Sequence, residues 1–453
     1  MATTYLTRTP SSGAATQKAT FSFWVKKTNI TGTPNLFRMY TNSTQYVRIR
    51  FESSNKISFI IINSDSYVVQ LISTQVFRDT SAWYNIVCNM DTTQATASDR
   101  AKIYINGERI TAYDTAVYPP TQDANIIVTP SGTANVIGTQ IGDSASYFEG
   151  CMSHINFTDG YVYQASEFGE TDSTTGEWKI KTSPSVTYGT NGFFILKDGN
   201  SVTDQSGEGN NFAVTAGTLT NTEDCPSNVF ATMNRESPTT VALASMANGN
   251  LYNGDQSPNY WQGIPGTLAA SSGKIYWEVK IEGVWGSTSQ NTQRHGIADI
   301  GAAVDNNTSD AYDIQWTTAA YGIGWCNTSG VRNSGSVTGT SDYSTFIATN
   351  VLMFAMDLDN LKLYLGKNGA WENSGDPTSG ASGTGAYTIP TAGMWAPYSE
   401  TKYGSDVISW NCGNGYFRTV AISPAGSPAS TPGIFQYQIP TGYQPISTKG
   451  LNL

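Results

Sequence analysis

The sequence predicts an all-β protein made of two tandem antiparallel β-sandwiches of jelly-roll type. Only 13% of the 453 residues are charged, whereas 44 are glycine and 12% are aromatic, a composition typical of short strands joined by tight turns. Apolar and polar residues alternate with a period of two in segment after segment, as in strands that bury one face. The length exceeds what one small core needs and fits two domains.

Strands with one apolar face follow one another from residue 20 of the first half. In FSFWVKK, Phe21, Phe23 and Val25 fall on one face and Trp24 on the other. This alternation predicts a strand that packs against a core on its Phe21 side. The same pattern returns in YVRIRFES, KISFIII, WYNIVCNM and KIYINGERI, whose Asn-Gly pair is typical of a hairpin turn.

A second series of strands opens with GKIYWEVKIEG. Here Trp277, Val279 and Ile281 are predicted to face inward, and Glu278 and Lys280 outward. Further strands are predicted in AAYGIGW, VLMFAMDLDNLKLYLGKNGAW and DVISWNCG. A last strand, turns fixed by proline and a free end are predicted for the tail, IFQYQIPTGYQPISTKGLNL.

The domain boundaries follow from shifts in composition. Residues 1–222 are predicted as the first sandwich and residues 236–453 as the second, with its C-terminal tail. Residues 223–235, a stretch rich in turn-forming residues, are predicted as the linker. The chain has no heptad stretch, so a homo-oligomer, for example a trimer, would have to form through domain faces or through a partner.

The charge balance argues against nucleic acid and membranes as partners. The formal net charge is −10, whereas phosphate binding relies on clustered Lys and Arg. Arg48 and Arg50 come closest to a basic cluster, but they alternate with apolar residues and are predicted on the solvated face of a strand. No apolar run approaches the roughly 20 residues of a membrane helix. The N-terminus lacks the apolar core of a signal peptide, so synthesis in a host cytoplasm is expected.

Candidate catalytic groups are few. The five cysteines stand singly, without CxxC spacing, so neither a disulfide framework nor a zinc site is predicted. His154 and His295 are the only histidines and lie in separate halves, so the sequence does not favour a nucleophilic triad. Asp357 and Asp359 are the most conspicuous carboxylate pair for glycoside hydrolysis, but they are better explained as turn-forming residues before the next strand. No catalytic residue and no enzymatic activity are predicted.

Five motifs occur in order over residues 20–165 of the first half: FSFWVKK, WYNIVCNM, KIYINGERI, IGTQIG and FEGCMSHINF. Together they resemble laminin-G-like domains of the concanavalin A-like lectin superfamily. The resemblance implies a lectin-like sandwich with a binding role. The segment DQSGEGNNF looks like a loop that often opens such domains, and its position after the other strands suggests a permuted closing strand.

The second half contains GKIYWEVKI, YGIGW and LMFAMDLDNLKLYLGKNGAWENSG in this order. These motifs resemble the strands of SPRY domains over residues 236–445, which implies a second binding module. Leu361 departs from that pattern, because the family usually has glycine in this turn. The order of the two modules and the closing segment PTGYQP are similar to proteins of tailed phages and large viruses, which implies a protein of the virion surface.

Aromatic rings among amide and hydroxyl side chains suit saccharide binding, because apolar sugar faces stack on rings while sugar hydroxyls find polar partners. The segments SPNYWQG, EGVWGSTSQNT and DAYDIQWTT have this composition and lie where SPRY domains place their partner-binding loops. Burial of these rings at a sandwich end or in a subunit contact is the alternative. The candidate ligand-binding residues are Tyr260, Trp261, Trp285, Tyr312 and Trp316.

Oxygen-rich loops around Asp198 and Asp204 form the candidate metal site. Calcium prefers such hard oxygen ligands. Laminin-G-like domains sometimes bind calcium, so the resemblance implies that this chain could bind it too. Turns in which Asp and Asn bond to the local backbone explain the same residues without a metal. No cofactor is therefore predicted, and calcium stays the alternative.

The sequence thus predicts a phage virion protein with a structural and recognition role. It would act as a tail-fibre or receptor-binding component that binds a host-surface glycan or receptor and docks on other virion proteins. A capsid decoration or head-fibre protein is the alternative in location. A glycan depolymerase is disfavoured by the missing carboxylate pair, and a cellular SPRY interaction adaptor by the lack of an attached helical or zinc module.

Overall fold

The computed structural model describes residues 3–13, 15–141, 143, 146–197, 202–237, 246–254, 261–286, 291–300, 322–333, 336–338, 341–423 and 432–452. Contacts divide the chain into two compact units, Met1–Asn221 with Cys225–Ser227 and Thr222–Asp224 with Asn228–Leu453. Both units are built of β-strands joined by turns. No helix within the described ranges is long and apolar enough to cross a membrane.

The first unit contains eighteen strands in its described residues. They are β1 (Tyr5–Arg8), β2 (Ala15–Thr16), β3 (Lys18–Lys27), β4 (Asn35–Asn42), β5 (Gln45–Phe51), β6 (Lys56–Asn63), β7 (Ser66–Val76), β8 (Trp83–Asp91), β9 (Ala101–Ile105), β10 (Glu108–Arg109), β11 (Tyr113–Val117), β12 (Ile126–Ile127), β13 (Asn135–Ile137), β14 (Gly150–Asp159), β15 (Gly169–Thr171), β16 (Trp178–Ile180), β17 (Phe193–Ile195) and β18 (Ala213–Ala216). Short 3-10 helices lie at Ala97–Asp99 and Ala165–Glu167.

Two antiparallel sheets enclose the core of the first unit. The larger sheet has the order β11-β7-β6-β5-β4-β13-β1-β18 and the smaller one β10-β9-β8-β3-β14-β17. Phe21, Phe23 and Val25 belong to the apolar core, as the alternation predicts. Strand β18 pairs with β1, with Val214 opposite Leu6, so the chain that follows residue 204 closes the larger sheet.

The second face of the smaller sheet is also covered. Trp24, on the face that points away from the core, is buried, because residues 163–186 lie over this sheet. Trp24 Nε1 donates a hydrogen bond to the Phe168 carbonyl at 3.5 Å, and Trp178 Nε1 donates to Asn85 Oδ1 at 3.2 Å. This sheet therefore has no solvated face at these positions.

The second unit contains seventeen strands in its described residues. They are β19 (Met246–Ala247), β20 (Tyr252–Asn253), β21 (Gln262–Pro265), β22 (Lys274–Gly283), β23 (Gln293–Asp299), β24 (Gly322–Cys326), β25 (Val331–Asn333), β26 (Ser336–Thr338), β27 (Val351–Asp357), β28 (Lys362–Lys367), β29 (Ala370–Trp371), β30 (Tyr387–Thr388), β31 (Trp395–Thr401), β32 (Val407–Asn411), β33 (Tyr416–Phe417), β34 (Val420–Ala421) and β35 (Gln444–Pro445). Short 3-10 helices lie at Glu372–Ser374, Pro377–Ser382 and Gly450–Asn452.

Two large sheets also form the second unit. One has the order β19-β20-β32-β22-β27-β28-β29, with β30 beside β28 and β35 beside β22, and the other β21-β31-β23-β24-β25-β26. Trp277, Val279 and Ile281 lie in the core, as predicted for strand β22. The Trp277 ring stacks on Phe354 with 5.1 Å between ring centres. The predicted all-β class is confirmed by both units.

The outward face of β22 is not solvated, which corrects the expectation for Glu278. This side chain is fully buried. Its Oε1 accepts hydrogen bonds from the Tyr276 hydroxyl at 3.0 Å and from the Tyr437 backbone N–H at 2.8 Å. Its Oε2 accepts from Asn411 Nδ2 at 3.1 Å and from the Gln436 backbone N–H at 2.9 Å. A carboxylate can stay in the interior only because these donors replace water.

The C-terminal tail covers this face, so the prediction of a free end is wrong. Phe435, Ile439 and Tyr443 form an apolar cluster with Tyr276 and Tyr364 on the outer side of the sheet. Strand β35 then runs parallel to β22 at its edge. The apolar residues of the tail thus form a second core layer.

Part of the predicted linker, residues 223–235, packs within the second unit. Ala231 and Met233 belong to its main core. Phe230 is buried and forms an isolated antiparallel bridge with Ser447. In a linker between two domains these apolar side chains would be exposed. Because they are buried, residues 228–235 are part of the second unit.

Candidate functional site

The face of the eight-stranded sheet that points away from the core gathers arginine and tyrosine side chains. Strands β4 and β5 turn their apolar residues to the core, so Arg38, Tyr40, Tyr46 and Arg48 fall on the other face. The register places Arg38 opposite Arg48 and Tyr40 opposite Tyr46. Tyr67 of β7 joins them across β6. These five residues are called the arginine-tyrosine face below.

Two of the tyrosines are open to solvent. Tyr40 is 48% exposed and Tyr67 is 47% exposed. The rings of Tyr40 and Tyr46 lie 6.2 Å apart and are tilted by 41°. Burial raises the pKa of Tyr46, and the neighbouring Tyr67 adds to this rise, so Tyr46 is a neutral phenol near neutral pH. Rings that are apolar on their faces and polar at the hydroxyl suit contacts with a wet ligand such as a sugar.

Neutral and aromatic partners hold the two arginines of this face. Arg38 Nη1 donates to Gln140 Oε1 at 2.7 Å. The Arg38 guanidinium lies 4.6 Å from the ring centre of Tyr40 and 5.3 Å from that of Tyr46, within the range of cation–π attraction. The Arg48 guanidinium lies 5.7 Å from the Tyr46 ring centre. Arg48 Nε is buried and has no hydrogen-bond partner.

Positive charge exceeds negative charge around these residues. Burial, and after it the charge of the adjacent Arg48, lowers the pKa of Arg38 to about 10. Burial also lowers the pKa of Arg48, and the positive charge of Arg50 lowers it as a second, smaller cause. The carboxylate near them, Glu52, is engaged by Arg50 through bonds of 3.0 and 2.6 Å. Glu52 lies 3.9 Å from Arg48.

The sequence patterns predicted only part of this group. The register confirms that Arg48 and Arg50 lie on the outer face of β5, although both are half-buried rather than fully solvated. Tyr40, Tyr46 and Tyr67 were not predicted as site residues. The alternation of Arg and Tyr with apolar residues in NLFRMYTN and QYVRIRF is the available signal, but which residues become neighbours depends on strand pairing.

The predicted aromatic ligand-binding residues are placed only in part. Trp261 is 5% exposed and carries the Arg294 guanidinium 3.7 Å from its ring centre, so it lies inside the protein rather than on an open loop. Trp285 is 38% exposed and stacks on Tyr403 with ring centres 4.0 Å apart. Lys402 lies 5.7 Å from the Trp261 ring and 5.6 Å from the Tyr403 ring. The predicted residues Tyr260, Tyr312 and Trp316 lie outside the described residues.

Asp204, a predicted metal ligand, organises a turn. Its Oδ1 accepts hydrogen bonds from the Phe194 N–H at 2.8 Å and the Ser206 N–H at 3.0 Å. Its Oδ2 accepts from Ser206 Oγ at 2.7 Å and from the Asn210 N–H at 2.8 Å. Arg8 donates to Asn210 Oδ1, so a guanidinium already supplies positive charge beside this loop. These donors occupy lone pairs that a calcium ion would need.

Within the described residues, no group of three or more His, Cys, Asp or Glu side chains is arranged to hold a metal ion. The other predicted ligand, Asp198, lies outside them. Because four donors already occupy the Asp204 carboxylate, we expect calcium or a chelator to leave the melting temperature unchanged, whereas Asp204→Ala costs about 2 kcal/mol because these half-buried donors lose their acceptor. Thermal unfolding with and without calcium tests this, with Glu208→Ala, an exposed acid of the same loop, as the control. Stabilisation by calcium that Asp204→Ala abolishes would contradict it.

Asp357 and Asp359, the conspicuous carboxylate pair, hold the turn before β28. Asp357 accepts from the backbone N–H and the side-chain Nδ2 of Asn360 at 3.0 and 2.9 Å. Asp359 Oδ1 accepts from the Gly273 N–H at 2.8 Å. Leu361 follows with φ of 55°, the left-handed region in which glycine is usual. The turn thus accounts for both carboxylates.

A serine and a histidine meet in the second unit, at a buried position. His295 Nδ1 lies 2.9 Å from Ser399 Oγ, and its Nε2 lies 3.1 Å from Gln293 Oε1. Trp410 Nε1 also donates to Ser399 Oγ, at 3.0 Å. Burial lowers the pKa of His295 to about 3, so the ring is neutral. A nucleophilic pair needs access to substrate and a carboxylate that stabilises the imidazolium. Here the pair is enclosed, and the neutral amide of Gln293 stands where that carboxylate would be.

Residues 2–167 match the family model described as the concanavalin A-like lectin/glucanases superfamily, a laminin-G-like model. Among solved structures, the SPRY domain of human HERC1 is similar, with 14% identity over 35% of this chain and 85% of that chain and a TM-score of 0.26. A native heptameric SAP-like pentraxin from Limulus polyphemus is similar with 14% identity over 47% of this chain and 88% of that chain and a TM-score of 0.29. No curated protein matches the sequence.

The fold and the family match define the class of the first half. The chain is an all-β protein whose residues 2–167 match a laminin-G-like model of the concanavalin A-like lectin type. The resemblance seen in the motifs of the first half is thereby confirmed. All five residues of the arginine-tyrosine face lie within the matched residues.

Proposed function

We propose that this protein is a non-enzymatic recognition protein that binds saccharides through the arginine-tyrosine face. The observation that carries the proposal is a pair of exposed tyrosine rings, Tyr40 and Tyr67, beside Arg48 on one sheet face of a lectin-like domain. Such rings stack on the apolar side of a sugar, while arginine and amide groups bond to its hydroxyls. The turn role of Asp357 and the enclosed His295 support a binding role without catalysis.

The motif order of the two halves supports display on a virion. In this proposal the protein is a tail-fibre or receptor-binding component that binds a host-surface glycan or receptor and docks on other virion proteins. A capsid decoration or head-fibre protein is the alternative location. Homo-oligomerisation, for example as a trimer, would raise the avidity of weak single sites. Labelling of virions with a specific antibody tests this, because a label at the tail supports the proposal and a label on the capsid supports the alternative.

Incubation with host capsule or lipopolysaccharide separates binding from degradation. We expect the purified protein to be retained on the polysaccharide and the polysaccharide to keep its length. Measurement of the soluble fraction by size-exclusion chromatography detects any oligosaccharide that is released. Release of oligosaccharide would show a depolymerase and contradict the non-enzymatic role.

Tyr67→Ala is expected to weaken saccharide binding about tenfold, because the loss of one stacked ring costs about 1.4 kcal/mol. Tyr67 is half-exposed on the sheet face, so its removal is expected to leave the fold intact. The measurement is the dissociation constant for host polysaccharide fragments, obtained by calorimetry.

Two further variants locate the site. Tyr161→Ala removes a similarly exposed tyrosine elsewhere in the first unit and is expected to bind like the unmodified protein. Trp285→Ala tests the exposed aromatic pair of the second unit, Trp285 with Tyr403. A loss of binding in Trp285→Ala together with unchanged binding in Tyr67→Ala would move the saccharide site to the second unit.

A further inference from the structure

Two arginines face each other across neighbouring strands of the arginine-tyrosine face. Arg38 of β4 is directly opposite Arg48 of β5, and side chains in such pairs have Cβ atoms about 5 Å apart. Like charges at this position destabilise a sheet. The chain as a whole carries a net charge of −10, so this local excess of positive charge runs against the general balance.

The protein itself does not neutralise this excess. Glu52 makes two hydrogen bonds with Arg50, at 3.0 and 2.6 Å, and reaches Arg48 only at 3.9 Å. Arg38 donates to the neutral amide of Gln140. Arg48 Nε is buried without a partner, although a buried donor without an acceptor costs free energy. An anion bound at this face would supply the missing charge.

The surroundings fit a sugar ring beside that anion. Ile60 and Ile62 of β6 are buried beneath the outer face and give it an apolar floor. Ile60 is paired with Arg48 of β5 on one side and with Gln70 of β7 on the other. The half-buried amide of Gln70 therefore lies two strands away from the Arg48 guanidinium, with Ile60 between them. The exposed ring of Tyr67 borders the same floor.

From these contacts we infer that the arginine-tyrosine face binds acidic saccharides, with a sugar carboxylate held by Arg48 and the sugar ring resting on Tyr40 or Tyr67. The inference rests on the proposed saccharide-binding function and names its ligand class. A planar guanidinium matches a planar carboxylate through two parallel hydrogen bonds. Sulfate and phosphate ions can also bind a guanidinium through two hydrogen bonds, but they lack the sugar ring that rests on a tyrosine.

The probes are oligogalacturonate, oligoglucuronate and oligomannuronate, each compared with its fully methyl-esterified form. Methyl esterification keeps the sugar ring and removes the negative charge. We expect at least one acid form to bind about tenfold or more tightly than its ester, because a charge-assisted hydrogen bond is lost on esterification. Inorganic sulfate and phosphate serve as competitors and are expected to displace the acid form only weakly.

Arg48→Gln is expected to reduce the affinity for the acid form about tenfold or more and the affinity for the ester about twofold or less. Arg109→Gln is the matched control, because it removes the same charge from an exposed arginine of the first unit that pairs with Asp99. Arg48→Lys keeps the charge but loses the planar fork, so an intermediate affinity is expected. The melting temperature of Arg48→Gln is expected to equal or exceed that of the unmodified protein, since the repulsion from Arg38 is relieved.

The outcomes separate this inference from the proposed function. Equal binding of acid and ester forms, or equal effects of Arg48→Gln and Arg109→Gln, would overturn the acidic-ligand inference and leave saccharide binding in place. Displacement by inorganic sulfate as strong as that by the acid sugar would show a general anion site and also overturn it. If no acid or ester form binds, the acidic-ligand inference fails, and the proposed function fails as well only if host polysaccharide is not retained. Unsaturated products with a C4–C5 double bond would contradict only the non-enzymatic role.

Discussion

A chain that ends at residue 431 is expected to lose the fold of the second unit. This truncation removes four fully buried side chains, Phe435, Ile439, Tyr443 and Ile446. At about 1.5–3 kcal/mol each, their burial contributes roughly 6–12 kcal/mol, which is comparable with the total stability of about 5–15 kcal/mol of an ordinary domain. The measurement is tryptophan fluorescence, because four tryptophans of the second unit are fully buried and their emission shifts to longer wavelength on exposure: Trp277, Trp325, Trp395 and Trp410.

Single substitutions measure how much individual side chains of the tail contribute to the stability of the second unit. Phe435→Ala, which empties one position of the layer over Tyr276, is expected to cost about 3–5 kcal/mol. Val420→Ala is the control, because Val420 is exposed and such surface changes stay within about 0.5 kcal/mol. A truncated protein with buried tryptophans and cooperative unfolding of the second unit would show that the tail is dispensable.

Glu278→Gln is expected to destabilise the second unit by about 3 kcal/mol at pH 5, because an amide NH2 would replace one acceptor oxygen and face donors that then lack a partner. These donors come from Tyr276, Asn411 and two backbone N–H groups of the tail. Urea unfolding measures the change. Glu236→Gln, at an exposed position of the same unit, is expected to have no comparable effect.

The stability of the unmodified protein is expected to fall as the pH rises from about 4.5 to 7. Burial raises the pKa of Glu278 from 4.5 to about 7, although its four donors act in the opposite direction. Because the folded pKa is the higher one, the contribution is complete below 4.5 and is lost as the pH rises towards 7. At about 1.4 kcal/mol per pH unit the loss approaches about 3 kcal/mol. A Glu278→Gln variant that keeps the same pH profile would contradict this assignment.

The buried carboxylate also explains why the tail takes one defined path. Two of its backbone N–H groups, at Gln436 and Tyr437, bind the carboxylate of a strand 158 and 159 residues earlier in the chain. An apolar contact tolerates small shifts, whereas these hydrogen bonds require fixed positions of both backbone groups. The apolar layer therefore supplies most of the stabilisation, and Glu278 fixes the register of the segment.

Local patterns predicted the strands and their core faces well. Phe21, Phe23 and Val25 in the first unit, and Trp277 and Val279 in the second, lie where the period-two alternation places them. Alternation reports directly on which side of a strand avoids water, because successive side chains point to opposite faces.

The same pattern could not show that the opposite faces are covered as well. Trp24 is buried by a segment 144 residues later, and Glu278 by the tail. Nothing near either position in the sequence marks these distant partners. The alternation in β22 therefore predicted that Glu278 lies on a solvated face, whereas the structure buries this side chain completely.

By itself, the sequence determined the all-β class, the inward faces of the strands and the resemblance of the first half to laminin-G-like domains, since these depend on residues close together in the chain. Only the tertiary structure decided that Arg38 and Arg48 lie opposite each other with tyrosines around them. That arrangement depends on the register of β4 and β5, and a shift by one residue would turn each side chain to the other face. The candidate site thus follows from strand pairing, which aligns side chains that have no mutual signal in the sequence.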